Sequence, residues 1–108
     1  MRKLGLVLSA VLLLGCQSEE EKAQKAAELR EIKLNRAAAD AVRRTLKDPS
    51  SAEFRNQRGL CGEVNARNSF GAFGGFRRFV VISESMVMTE ADMPPDAFAQ
   101  LWASGCKS

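Results

Sequence analysis

Hydrophobic and polar positions change pattern several times along this chain. An apolar run from Leu4 to Leu14, relieved only by Gly5, Ser9 and Ala10, comes first. From Ser18 to Lys47 the residues are chiefly Glu, Lys, Arg, Ala and Gln with no Gly or Pro, a composition that predicts a long helix. Ser18 with Glu21 three positions on makes a capping box, and Glu19, Glu20 and Glu21 stand where the helix dipole favours negative charge. The first half is almost wholly polar, with Glu21 and Lys25 at ion-pair spacing, and has little to bury. The second half sets Leu34, Ala38, Ala41, Val42 and Thr45 on one side with Leu46 beside them, so it packs on a core. Pro49 disfavours helical geometry at Asp48 and closes the helix, whose last turn carries Arg43, Arg44 and Lys47.

Beyond Pro49, short apolar segments punctuated by glycine predict strands at Ala52 to Gln57, Leu60 to Ala66, Phe76 to Ser83 and Met86 to Thr89. Short connections make neighbours antiparallel. The third strand is the strongest, with Phe79, Val80, Val81 and Ile82 in succession, and Arg77 and Arg78 are expected to point to solvent near its start. Pro94 and Pro95 open a C-terminal helix whose Phe98, Leu101 and Trp102 recur at three-to-four spacing and cover one face of the sheet. The expected fold is α+β: a long N-terminal helix, a small antiparallel sheet of three to four strands, and a short C-terminal helix.

The apolar run at the start is a targeting signal rather than a span. Its positions would cover only about 16 Å as helix, roughly half of a hydrocarbon core. Arg2 and Lys3 supply the cationic n-region of an export signal, and the run ends at Leu13-Leu14-Gly15-Cys16. That ending resembles a bacterial lipobox, although Leu14 stands where smaller residues are more usual. The resemblance implies that residues 1–15 are removed, that Cys16 is lipidated, and that the acyl chains tether the protein to a membrane. Gln17 at the next position implies sorting to the periplasmic face of an outer membrane, in a cell that has two. The chain then divides into a signal at 1–15, a lipid-anchored helix at 16–47, and a small domain at 48–108. The polar first half of the helix reads either as a spacer from the bilayer or as a frayed arm.

Loss of the signal changes the charge. The chain carries 16 Lys+Arg against 13 Asp+Glu, and removing Arg2 and Lys3 leaves 14 against 13. A near-neutral exported domain is no nucleic-acid binder, which would concentrate positive charge on one face. With Cys16 taken by lipid, Cys61 and Cys106 are the remaining thiols, and an oxidising compartment pairs them, stapling a domain too small to rely on its core. The competing reading makes Cys61 a catalytic thiolate, but the chain has no histidine to serve as its base.

Asp48-Pro49-Ser50-Ser51-Ala52-Glu53-Phe54-Arg55, Cys61-Gly62-Glu63-Val64-Asn65-Ala66-Arg67-Asn68-Ser69-Phe70-Gly71 and Gly75-Phe76-Arg77-Arg78-Phe79, with Trp102 ahead of the late Cys106, resemble a family of small exported proteins from bacteria and their phages. The resemblance runs from about Val42 to Cys106 and implies no particular activity.

The most unusual stretch is Asn65 to Phe79, where asparagines, glycines and phenylalanines interleave. A phosphate-cradling loop would open into a helix, whereas this one opens into a strand. One account makes Asn68, Gly71, Gly74 and Gly75 hairpin residues that tolerate positive φ, with some of Phe70, Phe73, Phe76 and Phe79 facing inward. The other makes Asn68, Phe70 and Phe73, ringed by Arg67, Arg77 and Arg78, a contact site for another macromolecule, with Phe73 largely exposed.

Glu63 is the only carboxylate between Glu53 and Glu84, so the strand region offers no close acid pair, and neither a catalytic residue, a metal ligand set nor a cofactor is assigned. Two functional classes remain: an envelope module binding a protein or cell-wall component through residues 65–79, and a purely structural or self-associating lipoprotein. An enzyme is a distant third.

Overall fold

The computed structural model describes residues 18–106; the expected signal and Cys16, the expected lipidation site, lie outside the described residues. Helix α1 spans Glu19–Arg43, a 3-10 turn Pro49–Ser51, strands β1 Glu53–Arg58, β2 Cys61–Asn65, β3 Arg77–Ser83 and β4 Met86–Thr89, and helix α2 Pro95–Gly105. The fold is α+β, with all strand pairs antiparallel in the order β1-β2-β3-β4.

Helix α1 begins as its capping box requires: the Ser18 hydroxyl accepts the Glu21 N–H at 3.2 Å. The ion pair on its first turn joins Lys22 to Glu19 at 4.0 Å, rather than Lys25 to Glu21. The helix ends at Arg43, short of the expected Lys47. Thr45 N–H and Leu46 N–H turn back to the carbonyls of Val42 and Arg43 at 2.9 and 3.2 Å, and the Thr45 hydroxyl also donates to Val42 O at 2.7 Å. These i→i+3 bonds satisfy the last carbonyls before Pro49 can act. Residues 18–30 are exposed throughout. The compact unit that carries the sheet begins at Glu31.

Within that unit, the two-residue period of β3 divides its side chains between two hydrophobic clusters. Phe79 and Val81 join Val64 against Ala38, Ala41 and Val42 of α1, with Phe54, Leu46, Ala52 and Val87 at the margin. Small helix residues let α1 approach the sheet closely, and Phe54 meets Phe79 edge-on, centroids 6.0 Å apart. Val80 faces the other way, joining Cys61 and Phe98, with Met93, Leu101, Trp102 and Cys106 around them. Helix α2 therefore covers the sheet face opposite α1, as its spacing predicts. Leu34, expected in the buried stripe of α1, remains 41% exposed.

A disulfide joins Cys61 at the start of β2 to Cys106 just beyond α2, with Cα atoms 5.7 Å apart. It ties the second cluster to the central strands. Register shifts between Arg55 and Arg58 in β1, where Asn56 takes a positive φ of 52°. That bulge turns the Asn56 amide toward Glu63, its bonded partner across the strands.

Candidate functional site

Residues 65–79 form the connection between β2 and β3, and their backbone is braced from within. Arg67 and Phe73 form an isolated antiparallel bridge. Beyond it, Asn68 N–H donates to Ala72 O at 2.9 Å and Gly71 N–H to Asn68 O at 3.0 Å. The Asn68 side-chain oxygen accepts from Phe70 N–H at 2.9 Å and Ala72 N–H at 3.2 Å. Asn68 thus works through its amide rather than through positive φ, which falls instead to Gly71 at 79° and Gly75 at 96°. At the base, Gly75 N–H donates to the Asn65 side-chain oxygen at 3.1 Å.

Arg67 fixes the loop to the segment that follows α1. Its N–H donates to Ser51 Oγ at 2.9 Å and its Nε to Asp48 Oδ2 at 3.0 Å. The 3-10 turn at Pro49–Ser51 sets both acceptors in place, since Ser51 Oγ in turn donates to Asp48 O at 2.7 Å.

The four phenylalanines grade from bare to buried. Phe70, at the tip, is 94% exposed and Phe73 is 48% exposed, its ring 5.9 Å from the Arg67 guanidinium carbon. Phe76 is half-buried beneath Arg55, whose guanidinium carbon stands 3.8 Å from the ring centroid, and Phe79 is wholly inside. The C-terminal end of the stretch supplies core and its tip presents an uncovered aromatic, which is Phe70 rather than the Phe73 expected to be largely exposed.

Arg77 and Arg78 part company. Adjacent strand residues point to opposite faces, and only Arg77 stays on the loop's side and exposed. Arg78 lies half-buried on the α2 face, its Nε donating to Glu90 Oε2 at 3.2 Å and its guanidinium 5.2 and 5.3 Å from the rings of Phe98 and Trp102. It does not join the group formed by Arg67, Asn68, Phe70, Phe73 and Arg77. On that same α2 face Arg55, Glu63, Arg78 and Glu90 carry alternating charge across successive strands, with Arg55 Nη2 3.0 Å from Glu63 Oε1. Hydrogen bonds from Asn56 and then Arg55 hold the Glu63 carboxyl below the usual carboxylate value, partial desolvation opposing them and the charges of Arg55 and Arg78 adding to them. This ladder is structural, and it is not legible as such in the sequence because its members come from four separate segments.

Under the loop, on the α1 face of the sheet, lies an open cleft of about 230 Å³. Lys47 reaches it from the connection between α1 and the 3-10 turn, where the sequence suggests only a helix terminus. Among the described residues, no group of three or more Asp, Glu, Cys or His side chains is arranged to hold a metal ion. Nor is any described helix long and apolar enough to cross a membrane. Compared with protein-family models, curated proteins and solved structures, the chain matches none.

Proposed function

We propose that this protein is a lipid-anchored envelope module that binds a protein or cell-wall component through residues 65–79, without catalysing a reaction. One observation carries the reading: Phe70 is held almost fully bare at the tip of a loop whose backbone is already hydrogen-bonded into shape. Ordering a loop in advance lowers the entropy lost on association. Phe73 on the same loop and Arg77 at its end supply the aromatic and arginine composition that interface centres favour. The lipobox-like Leu13-Leu14-Gly15-Cys16 supports the anchoring, and the likeness to small exported bacterial and phage proteins agrees with an envelope role.

A photoreactive amino acid at position 70 tests the binding role in the envelope. A discrete adduct absent from a control at exposed position 99 supports the proposal, and identical adducts at both positions overturn it. A second reading, self-association, draws on Ile32 and Leu34, which remain 48% and 41% exposed on α1. Adducts of the chain with itself at position 32 and none at position 70 favour that reading.

A further inference from the structure

The cleft under the loop gives the binding surface a chemistry. Its floor is apolar, formed by Leu46, Val64 and Ala66, and Lys47, Arg67 and Arg77 stand around it. No carboxylate is among the residues lining it. Arg67 is paired with Asp48, but Lys47 and Arg77 have no salt-bridge partner among the described residues. On the sheet, Arg55 is paired with Glu63 and Arg78 with Glu90, while Arg58 of β1, outside the cleft, has no salt-bridge partner among the described residues either. Three basic residues and no acidic one lining an apolar-floored recess make a surface complementary to an anion.

We propose that this cleft receives the acidic side chain of a partner protein docked on Phe70 and Phe73, the carboxylate lying between Lys47 and Arg77 and its methylenes on Leu46 and Val64. This rests on the reading of residues 65–79 as a binding surface and names what that surface recognises. The chain shows the pairing chemistry on the same rim, where the Arg67 guanidinium already holds the Asp48 carboxylate at 3.0 Å. An apolar floor suits the stem of Glu or Asp better than a phosphate ester, whose oxygens extend on all sides and call for further donors. The bare Phe70 at the tip of the same loop favours a protein over a polyanionic wall polymer for the same reason that aromatics concentrate at protein interfaces.

The test uses the full chain in a non-ionic detergent and a fluorescent hexaglutamate peptide, with hexaglutamine as the neutral control. Hexaglutamate alone is expected to bind, and binding should weaken steeply as salt is raised. Lys47→Ala and Arg77→Ala should each weaken it about tenfold, the loss of one charge-assisted contact. Arg58→Ala, at an exposed arginine outside the cleft, should leave the affinity unchanged, and all variants should keep the wild-type melting temperature. Equal loss in Arg58→Ala and Arg77→Ala would show unspecific charge attraction and overturn the proposal. So would Lys47- and Arg77-dependent binding of poly(glycerol phosphate) with none of hexaglutamate. Peptide binding reads Lys47 and Arg77 while partner capture reads Phe70, so this inference and the loop reading fail separately.

Discussion

Gly62 lies directly beneath the ring of Phe79: a Cβ at this position would stand 2.9 Å from Phe79 Cζ and 3.2 Å from the Gln57 backbone. Phe79 is fully buried between sheet and α1, so its ring has no room to retreat. Gly62→Ala is therefore an overpacking change, expected to cost about 1–3 kcal/mol. Denaturant unfolding measures it directly. A neutral result would mean that the first core tolerates a shift of Phe79.

The disulfide makes a second, separable contribution. Cys61 is buried among Val80 and Phe98, and its bond to Cys106 closes a segment of 45 residues. Cys61→Ser and Cys106→Ser should each lower stability by roughly 2–4 kcal/mol. Combined, they should cost about what one costs alone, because a single bond is lost either way. Thiol counting on the denatured, unreduced protein checks the pairing, and two free thiols would refute it.

Glu63 links stability to pH. Its folded value lies below the ordinary one, so its contribution is complete above the unfolded value, near 4.3, and disappears as pH falls through the folded value beneath it. Melting temperature should thus decline on acidification below about pH 4. Glu63→Gln should shrink the difference in melting temperature between pH 7 and about pH 3, since Gln has no proton to gain. An unchanged acid slope in the variant would place the sensitivity elsewhere.

Anchoring at Cys16 has its own test. Acyl chains would supply the membrane affinity, and Cys16→Ser should shift the protein from the membrane fraction to the soluble one. Metabolic labelling with a palmitate analogue should mark wild type and leave the variant blank. An unlabelled wild-type protein would contradict the lipoprotein assignment.

Much of the fold was legible because its signals are local. Ser18 and Glu21 announce the start of α1, the run Phe79 to Ile82 announces β3, and counting thiols pairs Cys61 with Cys106. The end of α1 was misread because Pro49 is visible in sequence and the Thr45 hydroxyl bond to Val42 is not. The period of two in β3 already separates Arg77 from Arg78, yet treating both as solvent-facing overlooked it; only tertiary structure shows Glu90, Phe98 and Trp102 waiting on the second face. Position 70 rather than 73 is the bare aromatic, because the bridge between Arg67 and Phe73 draws Phe73 toward the loop's base. Lys47 joins the cleft through the packing of α1 on the sheet, a relation between distant segments that no spacing rule reports.

The most direct test of the central claim pairs partner capture with stability in Phe70→Ala. Being 94% exposed, Phe70 contributes little to the fold, and truncation should change stability by less than about 0.5 kcal/mol. If the tip is the anchor of a binding surface, the same change should cost about 2 kcal/mol or more of association and abolish envelope crosslinks made by the wild-type protein. Crosslinks lost at an unchanged melting temperature are the predicted result. A stable Phe70→Ala protein that retains every wild-type crosslink would contradict a binding role for this loop.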